Sequence, residues 1–372
     1  TVPRKVLVVT QFTVSVVLII GTIIVFKQIQ FAKNRPIGYN KDGLVNIEVT
    51  NDDLQTHYEA VKQDLLQSGD VTAMAGSSSS TTGVNNNRGD VDWKGKAPSM
   101  TSFFGRISVT SEYGKTVDWE FTNGRDFSTR FITDSSAIVL NEAAVKYMNF
   151  KNPVGETVRI GKKDFTVIGV VKDMVMESPY NPVKQTIFHI GSHFDDVLIR
   201  INPNVSAHTA INKIEAVCKV YSPSVPFSYR FVDDEYAKKF SNENRIGKLA
   251  SCFAILAIFI SCLGLFGMAS FMAEQRIKEI GVRKVLGASV FNLWKLLSKD
   301  FVILVFISLL IAVPVAYYFM HNWLQNYEYR TQLSWWIFAA SGIGALLITL
   351  LTVSFQSIKA AIANPVDSLR SE

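Results

Sequence analysis

Two histidines four apart, His189 and His193, stand beside Asp195 and Asp196, and these are the donor types of a metal centre. A pair at that spacing converges on one ion only from a helix, whereas Gly191 and the preceding "QTIF" favour extended chain. The stretch "GETVRIGKKD" holds the ingredients of a phosphate-binding loop, but its details fail. Five residues separate Gly155 from Gly161 where such a loop has four, Lys163 replaces the Ser or Thr, and the residues that follow read as strand. A hairpin turn is the expectation there. No G-x-S-x-G and no Cys/His pairing points to a nucleophile. Arg88-Gly89-Asp90 matches an adhesion tripeptide, a pattern too short to carry weight, and Asp233-Asp234-Glu235 is expected to open a helix on a solvated face. Cys218 stands apart from Cys252 and Cys262, so no internal disulfide is expected. The residue types that do chemistry are present, and their spacing does not assemble an enzyme.

The elements around them explain why. Of 372 residues, 48% are hydrophobic, and the formal net charge is +6. Four apolar runs, at 6–26, 249–273, 301–320 and 335–355, are each long enough for a helix to cross a hydrocarbon core about 30 Å thick. The first follows Arg4 and Lys5 but is too long for a signal peptide and lacks a cleavage pattern, so it reads as a retained span. None of the runs carries a full charge, which disfavours an ion-coupled carrier. Gln11, Thr13, Ser15, Gly264, Gly267, Gly342 and Gly344 are small or polar residues suited to helix–helix contact, and Pro314 is expected to kink the third span.

Charge orients these spans. From Lys27 through Arg245 basic and acidic residues balance, so the excess lies elsewhere. It lies in Arg4 and Lys5 and in the loop 274–299, where Arg276, Lys278, Arg283, Lys284, Lys295 and Lys299 outnumber Glu274 and Glu279. Those pieces are placed on the cytoplasmic side. The loop 321–334 is flanked by Tyr317, Tyr318, Trp323, Tyr327, Tyr329, Trp335 and Trp336, an aromatic belt for the outer interface.

The fold class expected is therefore an integral membrane α-helical protein with four transmembrane helices, one plus three. A large extracytoplasmic α+β domain lies between the first and second. The boundaries read 1–27 for the first span with a cytoplasmic N-terminus, 28–246 for the outer domain, 247–356 for the remaining spans and 357–372 for a cytoplasmic tail. Within the outer domain, "LVNIEV" and "DFTVIGVV" alternate as strands, while 54–67, 141–148 and 207–221 read as helices. A compositional break near Ser111 suggests one part from 44–110 and 196–232, with a smaller part, 111–190, inserted. "SSSSTTGVNNNRGD" at 77–90 reads as a mobile loop.

The segment "EQRIKEIGVRKVLGAS", 274–289, packs six charged residues into sixteen between two apolar runs. It is expected to extend the second span as a helix ended by Gly287 in a left-handed conformation. Ser289 would then cap a second helix bearing Phe291, Trp294 and Leu297 along one side, lying at the membrane surface ahead of the third span. Anchoring at headgroups needs charge alone. The order Arg276, Lys278, Glu279, Ile280, Gly281, Arg283, Lys284, Leu286, Gly287, Ala288 is more specific than that.

That order resembles the R-x-K-E-I-G-x-R-K-x-L-G-A segment of the permease subunits of MacB/FtsX-type ABC transporters, and the resemblance extends to the one-plus-three spans, "NEAAVKYM", "GKKDFTVIGVVKD" and "NPVDSLRSE". It implies a non-catalytic permease whose ten residues named above couple to a separate ABC ATPase subunit. ATP and Mg would bind on that partner, with no cofactor in this chain. It also implies mechanotransmission to a periplasmic porter-like domain, a location in the bacterial inner membrane with both termini cytoplasmic, and a second permease unit as homodimer or fused half. The further partners implied are a periplasmic adaptor or outer-membrane channel and membrane lipids, with no nucleic acid. The cargo left open is a peptide, lipoprotein or drug, such as an antimicrobial peptide or a macrolide; the alternative is a non-transporting receptor or scaffold that regulates an envelope partner. The stretch 4–42 resembles the start of the second half of eight-span permeases of the Bacteroidetes type, so a C-terminal half or fragment is expected.

Overall fold

The structure, a computed structural model, describes residues 2–276, 279, 282–283, 286 and 288–362. It divides into two compact units, one formed by the chain through Lys33 together with the chain from Ser241 onward, the other by Asn34–Phe240.

The first unit is built on four long helices, Val2–Lys33, Ser241–Gln275, Val290–Leu324 and Trp335–Ile362. All four contain a stretch long and apolar enough to cross a membrane. The first helix packs against the other three. Its buried side chains Val8, Phe12, Val16, Ile20 and Ile24 recur every fourth residue, so they form one stripe along the helix. The next positions on that stripe are Gln28 and Ala32, both fully buried.

Polar residues knit the helices as the sequence suggests. Ser15 and Ser261 share a buried hydrogen bond of 2.9 Å, and Gln11 Nε2 donates to the Ile260 carbonyl at 3.3 Å. Gly264 leaves room for that glutamine, since a Cβ there would lie 2.7 Å from Gln11 Oε1. Gly342 faces Leu309, whereas Gly267 and Gly344 face open space. The third helix continues through Pro314, from Val290 to Leu324.

That third helix also corrects an expectation. Residues 290–300 are not a separate surface helix; they are the first turns of one continuous 35-residue helix. No Gly or Pro lies between Ser289 and Pro314 to interrupt the hydrogen-bond ladder. Phe291 and Trp294 do lie on one side, their rings stacked at 5.5 Å, and Trp294 Nε1 donates to Ser354 Oγ on the fourth helix at 2.7 Å. The side chain of Leu297 lies outside the described residues.

The second unit is a twelve-stranded sheet with helices on both faces, Tyr58–Gln67 and Ala207–Tyr221 on one and Tyr113–Val117 and Val232–Lys238 on the other. The strands are β1 (Leu44–Glu48), β2 (Val71–Ser77), β3 (Asn87–Arg88), β4 (Val91–Trp93), β5 (Phe104–Val109), β6 (Phe121–Gly124), β7 (Ala137–Asn141), β8 (Thr157–Ile160), β9 (Lys163–Val171), β10 (Thr186–Ile190), β11 (Asp196–Ile201) and β12 (Arg230–Phe231). At one end β12, β1, β11 and β2 run antiparallel in that order. The helices Tyr58–Gln67 and Ala207–Tyr221 link β1 to β2 and β11 to β12. This is the split βαβ arrangement, with everything from 78 to 195 inserted between its two halves. Alternation explains the packing: Val45, Ile47, Val197 and Ile199 face the helices, while Leu44 and Leu198 join the opposite core.

The inserted chain continues the same sheet as β5, β10, β7, β9, β8 and β4, with β5–β10 and β7–β9 parallel. The boundary expected at 111 therefore falls elsewhere. β4 pairs with β8, and Val91, Trp93 and Phe104 are buried with Ile138, Val158 and Phe165, so these residues belong to the insertion that begins after Ser77. The serine-rich stretch is likewise not a detached loop. Ser79 and Thr81 are buried, Ser79 Oγ accepts from the Asn85 N–H at 3.0 Å, and Thr82 Oγ1 donates to Glu235 at 3.0 Å.

"GETVRIGKKD" forms the β8–β9 hairpin, with Gly161 at φ +61° in the turn and a strand following it where a phosphate loop has a helix. His189 sits on β10, and its Nε2 accepts from Arg106 Nε at 2.8 Å. Among the described residues no group of His, Cys, Asp and Glu is placed to hold a metal.

Candidate functional site

The charged segment is framed by two helix ends. The helix Ser241–Gln275 holds no proline and closes with the Arg276 N–H donating to the Met272 carbonyl at 3.2 Å. Nearby, the Arg4 guanidinium lies 4.2 Å from the centre of the Phe271 ring, a cation–π contact between the first and second helices. Arg276 then reaches the third helix: its Nη2 donates to Asp300 Oδ2 at 3.1 Å, each side chain about one-third exposed.

Glu279 and Arg283 form an i, i+4 pair at 2.8 Å, with the acid N-terminal to the base as the helix favours. The Leu286 N–H donates to the Val282 carbonyl at 3.0 Å and the Ala288 N–H to the Arg283 carbonyl at 2.9 Å. The second of these bonds spans five residues, the closure found at helix C-termini. Ser289 caps the third helix, its hydroxyl accepting from the Asn292 N–H at 3.3 Å. The end of the second helix and the cap of the third thus frame residues 276–289.

Among the described residues of this segment, the two large apolar ones are not buried. Leu286 is 80% exposed and Val282 50%, beside the Glu279–Arg283 pair. An exposed leucine beside a charge pair is surface of the kind a protein partner can cover. Of the ten residues assigned to coupling, the structure describes Arg276, Glu279, Arg283, Leu286 and Ala288. Lys278, Ile280, Gly281, Lys284 and Gly287 lie outside the described residues.

Asp300 is the residue that sequence reasoning missed. A count of the loop that stops at Lys299 omits it, although an acid at the mouth of an apolar run is a signal in itself.

The profile of the MacB-like periplasmic core domain matches residues 7–217, more than half the chain, and that of the FtsX-like permease C-terminal region matches 251–365. The chain belongs to the MacB/FtsX-type permease family. The two matches meet the architecture seen here, a large α/β domain between the first and second of four apolar helices.

Among its relatives, the permease is 25% identical over 284 residues to the "Macrolide export ATP-binding/permease protein MacB" of Neisseria gonorrhoeae (strain ATCC 700825 / FA 1090), covering 71% of this chain and 43% of that protein. To the protein of the same description from Campylobacter fetus subsp. fetus it is 24% identical over 285 residues, 73% of this chain and 44% of the relative. The match thus takes in less than half the length of these relatives. Among solved structures, the periplasmic region of MacB from Actinobacillus actinomycetemcomitans superposes with a TM-score of 0.41 at 18% identity, covering 54% of this chain and 94% of that one. The extracellular domain of the ABC-type transporter YknZ from Gram-positive bacteria gives 0.36 at 13% identity, covering 50% and 97%.

Proposed function

We propose that this permease is the membrane subunit of a MacB/FtsX-type ABC transporter and that it hydrolyses no ATP itself. A separate ATPase subunit, binding ATP and Mg, docks on residues 274–299 from the cytoplasm. Its closing and opening move the helices, and the helices move the periplasmic domain, for export or envelope handling of a peptide, lipoprotein or drug. The basic excess at Arg4, Lys5 and 274–299 supports an inner-membrane topology with both termini cytoplasmic.

The observation that carries this reading is the exposed Val282–Leu286 surface beside the Glu279–Arg283 pair. Connectivity supports the transmission. The first helix ends at Lys33 and the outer unit begins at the next residue, Asn34; that unit ends at Phe240 and the second helix begins at Ser241. The outer unit is thus joined covalently to two different helices of the membrane unit, the first and the second. The relatives' name joins ATP-binding and permease functions in one protein, which fits a permease that acts with an ATPase.

Reconstitution tests the proposal. The ATPase encoded with this chain is assayed in proteoliposomes with and without it. The proposal expects hydrolysis to change when the permease is present, and a rate independent of the permease would refute it.

A further inference from the structure

Four residues that coupling does not use meet on one face of the outer domain. Arg106 lies on β5, at a position where its N–H bonds to the Asn86 carbonyl, and Arg88 on β3 stands directly opposite Phe104, two residues away on the same face. His189 lies on the neighbouring β10, paired with Ser108, so it too shares that face. The Phe165 ring stacks against His189 at 6.3 Å, and Lys163 Nζ sits 5.0 Å from the centre of the Phe165 ring. The apolar core around Ile138 and Ile187 thus ends in a basic rim.

The bonding within the rim is unusual for half-buried groups. Arg106 Nε donates to His189 Nε2 at 2.8 Å, which makes that nitrogen an acceptor and puts the imidazole proton on Nδ1, facing the Ile190 carbonyl at 3.1 Å. The histidine is therefore neutral. Burial first, and the Arg106 charge second, push its pKa down. Arg106 itself is pushed down by burial and then by Arg88, with Asp90 pulling the other way. Among the described residues no acceptor meets either Nη group of Arg106. A guanidinium taken partly out of water is ordinarily matched by a carboxylate. Here its protein partner is an uncharged ring.

We propose that Arg106, Arg88 and Lys163 form a binding site for a phosphate monoester, with His189 as the positioning residue that aims the guanidinium. Three cations against Asp90 leave an excess of two positive charges, which matches the charge of about −1.5 to −2 on a phosphate monoester near pH 7. The two free Nη groups offer the paired donors that guanidinium gives to phosphate oxygens. Phe103 stands 58% exposed, its ring against Gly89 between Arg88 and Asp90, so an apolar substituent on the phosphate has a surface to lie on.

The test uses the full chain in a neutral detergent and calorimetric titration with two probes, inorganic phosphate and dioctanoyl phosphatidic acid, with dioctanoyl phosphatidylcholine as control. Saturable binding of the first two but not the third is expected, weakened about tenfold by Arg106→Gln and less by Arg88→Gln. Phosphatidic acid binding much tighter than phosphate identifies a lipid headgroup as the source; equal binding identifies a soluble phosphate. Arg88 is exposed, so Arg88→Gln remains informative should Arg106→Gln fail to fold. Arg106→Lys, which keeps charge and loses the fork, should recover only part of the affinity. Absence of saturable binding to wild type, or wild-type affinity in both glutamine variants, would overturn the proposal.

Discussion

Arg276, one residue past the end of the second spanning helix, is bonded at 3.1 Å to Asp300, inside the third. The pair ties the two ends of the charged segment to each other. Both side chains are about one-third exposed, so the pair adds little to stability, roughly 0.2–1 kcal/mol. Its value is geometric. Arg276→Asp or Asp300→Arg alone should cut permease-dependent ATP hydrolysis about twofold or more, while shifting the thermal midpoint by only about 1–3 °C. The double exchange should restore most of the rate. Equal rates in all four proteins would remove the pair from the coupling path.

Gln28 is fully buried on the apolar stripe of the first helix. Its Nε2 donates to the Tyr329 carbonyl at 2.9 Å and its Oε1 accepts from the Thr331 N–H at 2.7 Å, while Phe31 stacks on Tyr329 at 4.6 Å. One side chain thus holds the connection between the third and fourth helices against the first. Gln28→Ala should strand a buried N–H and C=O and cost about 1–3 kcal/mol, read as a lower midpoint of tryptophan fluorescence on heating in detergent. Gln28→Glu keeps the acceptor for Thr331 and should fall between. An alanine variant as stable as wild type would show that water replaces both bonds.

Asp196 at the start of β11 is buried, and burial pushes its carboxyl up to about 6 despite the hydrogen bond from Asn46 Nδ2 at 2.7 Å. Because the folded-state value lies above the unfolded one, near 3.9, the folded protein holds its proton more tightly. That stability is fully present below about pH 4 and is lost as pH rises through about 6. Asp196→Asn should therefore raise the thermal midpoint at pH 7.5 by a few degrees and flatten its fall between pH 5 and 7.5. A steeper fall in the variant, or none in wild type, would contradict the assignment.

Much of the architecture could be read from residue order. The four spans announce themselves because an apolar run of about 20 residues has few other uses. The helix 207–221 and the hairpin at Gly161 follow from local signals that act within a few residues. What escaped is what depends on distant partners. Val91–Trp93 is too short to show which strand it joins, and only pairing with β8 decides it. Gln28 reads as a polar interruption until Tyr329 and Thr331 are seen across from it. The length of the third helix is not set locally, because Ser289 signals a cap but nothing near it says how far the helix then runs. At 274–289 the residue order singles out the residues proposed for coupling, and Asp300 becomes visible only through Arg276.

Leu286 provides the most direct test of coupling. Its side chain is 80% exposed at the turn between the second and third helices, so it supports no core and its loss leaves the fold intact. The measurement is ATP hydrolysis by the partner ATPase in proteoliposomes carrying wild type or Leu286→Asp at equal membrane amounts. The account predicts that the aspartate variant inserts and melts like wild type yet loses most of the permease-dependent rate. A coupled rate equal to wild type would contradict it.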